Sequence, residues 1–556
     1  MERQSTIQKL DLSDEALLDA ADRRLQAGDC LGALTMLNKR NARYQPTCDS
    51  ALMAADIYEE MGLYGMAAAA WYHFLDTCNE ADFAEGYEGL AVSFMNMGNE
   101  AQSAFYYHRM LAEDEEVSEE SKEEILRLFS KPAPPPVRII WTAEGGDDCS
   151  DVLQKGLFLL RAGDVNQARE AFAEVPKSCR DYPTAVGLSA MCALMAGDAE
   201  TAERECRDLI AEYPEDVQAL TTYCAVLSER GDKEGAAAAA RRLAALPAET
   251  TDDLYKIATA LCETGLDEEA FEKLTQLKEK MPYDKNVLWF LAASACKTGR
   301  TETAIDTLDL MCTVYPRAAV ASYYLERLRE GRDGGKMPQM SYFYRLPEEE
   351  HAGIAAFLTT ILQVSDEDAR RFTSLEELKT VFALAFDEME GRDEALQALA
   401  VRVALVVRAD DFLREALLDY EGEDLIKFSI LAGLAARNEE DSFGTVICNL
   451  YKEFFIHKLE IGDRKEEEFL RAYAEVYSKY ALFGEENEKK IVYAAEDTYR
   501  TLADAEAWDC MDEKEALAAV IYREAHLRGG ERDLKKICSL FGAKRLVVQS
   551  ILDRIL

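Results

Sequence analysis

Histidine is scarce in this sequence, with five in 556 residues, and no two stand at metal-ligand spacing. There is no His-Glu-x-x-His, no Gly-x-x-x-x-Gly-Lys-Ser/Thr loop, no Gly-x-Gly-x-x-Gly and no Gly-x-Ser-x-Gly elbow. Those patterns place zinc, nucleotide phosphate or a nucleophilic serine, so the usual local signs of such chemistry are absent. Cationic side chains are short as well: 63 Lys and Arg face 105 Asp and Glu, a formal net charge of −42 with His neutral. A surface of that sign repels phosphate, which excludes general binding to nucleic acid or an anionic membrane. Long apolar runs are missing too. The greasiest stretch, 398–407, is interrupted by Arg402 and closed by Arg408, far from the roughly 18 apolar residues of a membrane span. The first ten residues hold no apolar core of the kind a secretory signal needs. The 14 cysteines are dispersed, with no Cys-x-x-Cys. They read as small buried thiols of a cytoplasmic protein rather than a disulfide scaffold.

What is present is core material and a repeat. The 556-residue length suggests three to five domain-sized units at about 100–200 residues each, and apolar residues, 48% of the chain, supply ample material for their cores. Five segments share one pattern around Gly163, Gly197, Gly231, Gly265 and Gly299, each 34 residues after the last. Five residues past each glycine stands alanine: Ala168, Ala202, Ala236, Ala270 and Ala304. Seven before each stands a small residue: Gly156, Ala190, Cys224, Ala258 and Ala292. Pro214, Pro247, Pro282 and Pro316 close most units. The glycine suits a left-handed backbone at a helix end. Small residues on both sides let two helices approach, and the proline stops the second helix. The unit resembles the tetratricopeptide repeat. Less regular copies surround Gly28 with Ala33, Gly62 with Ala67 and Trp71, and Gly98 with Tyr107.

The expected fold class is therefore all-α, with a tetratricopeptide-repeat solenoid in two blocks followed by a C-terminal helical domain. Residues 10–113 form an array of three repeats. Residues 114–148 carry an acidic helix and a Pro-rich linker with Trp141, and 149–331 form five repeats and a capping helix. Residues 340–505 read as helical throughout, with runs at 348–363, 374–390, 392–407, 410–419, 423–436, 441–458, 464–482 and 486–505. The pair around Phe412–Leu434 resembles HEAT-like helices. Residues 506–556 end in a helix-turn-helix-like segment about Gly542, which resembles the end of a cyclin-fold repeat of the general transcription factor type. Val548 and Ile551 there face back onto Ile537 and Phe541.

The family resemblance implies that the first helix of each repeat lines a groove. Counting back from the turn glycines places Thr184, Gln218, Thr221, Asp252, Tyr255, Thr259, Asn286 and Trp289 in the groove of the second array. In the first array the same count gives Glu15, Asp22, Asp49, Asp56, Glu59, Glu85 and Glu88, with apolar Leu18, Leu52 and Val92 among them. The mixed second set suits an extended peptide or a helix, and the acidic first set suits a basic peptide. No catalytic residue, cofactor or metal is expected, and no membrane or nucleic-acid partner. The expected function is a protein-interaction scaffold binding peptide or protein partners. The alternative is a transcriptional regulator whose C-terminal helix, entered at Lys544 and Arg545, touches DNA with Gln549 as its base-reading side chain.

Overall fold

The computed structural model describes residues 12–113, 117–128, 149–161, 164–179, 182–248, 250–372, 376–387, 393–447, 449–459, 467–480, 485–507, 509–510, 513–525 and 534–555. Gly163, the segment Pro132–Pro136, Trp141, the Gly-Gly pairs at 145–146 and 529–530, and Arg532 lie outside them. The chain divides into two compact units, one of Ile139–Leu346 and one of Met1–Arg138 with Pro347–Leu556.

The second array makes the first of these units. Its helix pairs are α8 (Cys149–Arg161) with α9 (Val165–Ala173), α10 (Tyr182–Met195) with α11 (Ala199–Glu212), and α12 (Val217–Glu229) with α13 (Lys233–Ala244). Then come α14 (Thr251–Glu263) with α15 (Asp267–Lys280), α16 (Lys285–Lys297) with α17 (Thr301–Val314), and the closing helix α18 (Ala319–Arg332). The Gly-Asp pairs explain the turns. Gly197, Gly231, Gly265 and Gly299 all have φ between 72° and 83°, which L side chains adopt only with strain. After Gly197 the Asp198 N–H returns to the Ala193 carbonyl at 2.8 Å, closing the outgoing helix. The Asp198 carboxylate then accepts the Thr201 N–H at 3.1 Å and caps the next helix. Asp164 and Asp232 cap α9 and α13 in the same way. The crossing positions are sealed: Ala190, Ala202, Cys224, Ala258, Ala270, Ala292 and Ala304 have no exposed surface. A Cβ on Gly156 would stand 2.3 Å from the Phe172 ring.

The other unit joins the two ends of the chain. The first array supplies α1 (Asp14–Gln26), α2 (Cys30–Asn41), α3 (Cys48–Glu60), α4 (Tyr64–Thr77), α5 (Phe83–Asn96) and α6 (Glu100–Glu113), and the acidic helix α7 (Glu119–Leu128) follows it. Gly28, Gly62 and Gly98 again take φ near 70–77°. Arg40 on α2 is fully buried and ties the first helices together, with Nε donating to Asp14 at 2.6 Å and Nη1 to Ser50 at 3.2 Å.

The C-terminal part begins with α19 (Glu348–Ile361), α20 (Asp366–Ala369), α21 (Glu376–Ala385), α22 (Glu394–Val407), α23 (Asp410–Leu418) and α24 (Asp424–Ala435). It ends with α25 (Glu467–Tyr480), α26 (Glu485–Asp504), α27 (Lys514–Ala525), α28 (Leu534–Phe541) and α29 (Arg545–Ile555). Helix α27 is its centre, with Ala516 through Ile521 buried all round. Ile537, Phe541, Val548 and Ile551 are buried as the sequence pattern requires, and Gly542 turns between α28 and α29 at φ 64°.

The expected helix at 441–458 is instead an antiparallel hairpin, β1 (Asp441–Ile447) and β2 (Leu450–Ile456), paired from Asp441↔Ile456 to Ile447↔Leu450. Phe443, Thr445, Val446, Ile447, Tyr451, Phe454 and Ile456 favour a pleated surface over a helix. Asn449 supplies the positive φ, 60°, that a two-residue turn needs. Phe443 through Ile447 are buried on both faces, so the alternation that reveals a strand is absent. The hairpin tip inserts into the first array: the Asn449 carbonyl accepts from Tyr106 Oη at 2.6 Å, Tyr72 Oη at 2.7 Å and Gln102 Nε2 at 2.9 Å.

Candidate binding grooves

Helices α1, α3 and α5 are the first helices of the N-terminal repeats, and they carry the acidic set. Asp49, Asp56, Glu85 and Glu88 are exposed, Glu15 is exposed one helix earlier, and Asp22 and Glu59 are half-buried. The structure brings Asp22, Asp56, Glu59, Glu85 and Glu88 together across helices. Desolvation raises the Asp56 carboxyl above its ordinary range, and Glu59, Asp22 and Glu60 raise it further. Glu85 is raised by desolvation and by Asp82, Asp56 and Glu88. Asp56 thus links the α1 and α5 acids into one strip. None of Glu15, Asp22, Asp49, Asp56, Glu85 and Glu88 forms an ion pair with a described residue. Neither α3 nor α5 contains a lysine or arginine. Glu59 is held in place by the Trp71 indole, whose Nε1 donates to it at 2.7 Å. Leu18, Leu52 and Val92 are half-buried on the same helices, so the strip alternates charge with apolar surface.

In the second array Thr184, Gln218, Thr221, Tyr255, Thr259 and Asn286 are half-buried and Asp252 is exposed. Several of these satisfy their own helix: Thr221 donates to the Val217 carbonyl, Thr259 to the Tyr255 carbonyl, and Gln218 to Thr222. Asp252 pairs with Lys256 at 2.7 Å. Trp289 departs from the expectation of an open contact residue. It is 1% exposed, and its indole N–H donates to the Tyr342 carbonyl at 3.0 Å. The reason is a segment the repeat count did not assign to the groove. After α18 the chain turns back and lays residues 336–346 over α14, α16 and α18. Cys296 on α16 donates to the Pro338 carbonyl at 3.5 Å. Tyr342 reaches furthest, donating from its hydroxyl to Asp267 at 2.7 Å, with Phe290 and Lys297 against its ring. Cys262, beside Tyr342, is pushed up to about 12 by burial first. The chain then returns: Tyr344 packs edge-on against Trp289 at 4.6 Å and accepts the Ala321 N–H, and Tyr324 donates to the Arg345 carbonyl. The one sequence sign of this was Tyr342-Phe-Tyr344 in a non-helical stretch between Pro338 and Pro347.

At the C-terminal end α29 starts at Arg545. Gln549 is occupied on its own helix, donating to Asp553 at 2.8 Å, and Arg554 pairs with Asp509 at 2.6 Å. Among the described residues no group of three or more His, Cys, Asp or Glu could hold a metal ion, and no helix is long and apolar enough to cross a membrane.

No family model and no curated protein matches this chain. Solved structures do. One is a tetratricopeptide repeat protein from Parabacteroides merdae, 14% identical, covering 58% of this chain and 99% of its own with a TM-score of 0.27. The P58(IPK) TPR domain is 12% identical over 58% of this chain and 99% of its own, with a TM-score of 0.22. The human IFIT1 dimer with PPP-AAAA is 13% identical over 73% of this chain and 93% of its own, with a TM-score of 0.26. The 34-residue period, the left-handed turn glycines, several with aspartate caps, and the sealed small-residue crossings give the chain the architecture of a tetratricopeptide-repeat solenoid.

Proposed function

We propose that the protein is an interaction scaffold whose N-terminal array holds a basic, partly apolar peptide or protein segment along α1, α3 and α5. The observation that carries this reading is the strip joined through Asp56: carboxylates from the first helices of three successive repeats, with no cation on α3 or α5 to neutralise them. Carboxylates crowded enough to raise one another's pKa gain most from a cation placed between them. Leu18, Leu52 and Val92 add apolar anchors for the stem of an arginine or lysine. Repeat arrays present such extended faces without catalytic machinery, which fits a sequence that holds no catalytic motif.

The direct test is sign selectivity on the full chain. A labelled peptide alternating arginine and leucine is titrated against its glutamate counterpart. Saturable binding of the first and none of the second supports the reading, and equal binding of both or of neither removes it.

A further inference from the structure

We infer that the groove of α14, α16 and α18 is a site for a peptide carrying Tyr-x-Tyr, and that the strap at residues 336–346 is its resident, self-inhibiting ligand. The strap meets the helices as a ligand would. Tyr342 and Tyr344 both turn inward, onto Asp267 and Trp289. Between them Phe343 points away, 71% exposed. That in–out–in order is the alternation of an extended peptide read by pockets for every second side chain. The pockets are specific. A tyrosine hydroxyl is needed to donate to Asp267, and a second must accept the Ala321 N–H. A main-chain carbonyl between them takes the Trp289 indole N–H.

The strap also has the features of a displaceable element. It has no helix or strand, and Met337 and Phe343 are exposed. Gly334, at φ 105°, turns the chain just before it. Several of its anchors are single hydrogen bonds, each worth about 1 kcal/mol net. Because it is tethered, it competes at an effective concentration on the order of millimolar. An external Tyr-x-Tyr peptide therefore sees only the fraction of molecules whose strap is open. This inference concerns a different groove from the acidic strip and stands or falls separately.

The probe is a fluorescent peptide of residues 336–347, Lys-Met-Pro-Gln-Met-Ser-Tyr-Phe-Tyr-Arg-Leu-Pro, titrated into full-length wild type and the Tyr342→Ala/Tyr344→Ala variant. The variant is expected to bind at least about tenfold more tightly than wild type. A peptide with serine at both tyrosines should bind neither. Equal binding by the two proteins, with the variant's helicity intact, overturns the inference. Should the variant fail to fold, hydrogen exchange on the wild type decides. Amides of 337–345 that exchange well before those of α14 and α16 show a strap that opens on a folded array. Amides that exchange together with those helices show it to be part of the core, and the inference fails.

Discussion

Trp289 shows how one side chain changes meaning with its surroundings. The repeat count makes it a contact for a visitor, and the structure gives it Tyr324, Tyr344 and the Tyr342 carbonyl as neighbours. Trp289→Ala should therefore cost about 3–5 kcal/mol of stability, the range for emptying a large core position. Urea denaturation measures it, and an unchanged midpoint would place the indole outside the core. At Ala202, where α11 has no exposed surface, leucine should overpack and cost about 1–3 kcal/mol. Asp56 gives the opposite sign. Its folded pKa lies above its unfolded value, so the folded state holds the extra proton between the two. Stability contributed at this site rises as pH falls through the folded pKa. Asp56→Asn should raise the melting temperature at neutral pH. That gain should vanish once pH drops below the ordinary carboxylate range.

At the scale of elements, the repeats were legible because each signal is local. Gly197 needs positive φ, Asp198 caps the helix three residues on, and Ala190 and Ala202 leave room for a crossing. The hairpin was not legible, because Phe443 through Ile447 are covered on both faces and show no alternation. The strap was not legible because its ligand-like role depends on Trp289 and Asp267, 53 and 75 residues before Tyr342. The acidic residues could be counted from sequence, but their coupling through Asp56 depends on how α1, α3 and α5 lie together. The hairpin tip makes a prediction of its own. Asn449→Ala places an ordinary side chain at φ 60° and should cost about 1–2 kcal/mol. Tyr106→Phe removes one donor to the Asn449 carbonyl and should cost about 1 kcal/mol. A double variant less harmful than the sum would show that the two act on one joint.

For the molecule as a whole, one compact unit is made from both chain ends. Tyr72 and Tyr106 of the first array spend their hydroxyls on a residue more than 340 positions away. A chain stopped after Leu346 should therefore lose exchange protection in α4 and α6 while α14–α17 keep theirs. Uniform protection would show that the first array does not need the C-terminal part.

The most direct measurement on the acidic groove is the affinity of the arginine–leucine peptide across a salt series. It is made on wild type and on a full-length chain carrying Asp22→Asn, Asp56→Asn, Glu85→Gln and Glu88→Gln. Wild type should bind with an affinity that falls steeply as salt rises. The neutralised chain, equally folded, should bind at least about tenfold more weakly with a flattened salt slope. Equal affinities and slopes in the two proteins would contradict the assignment of the peptide to α1, α3 and α5.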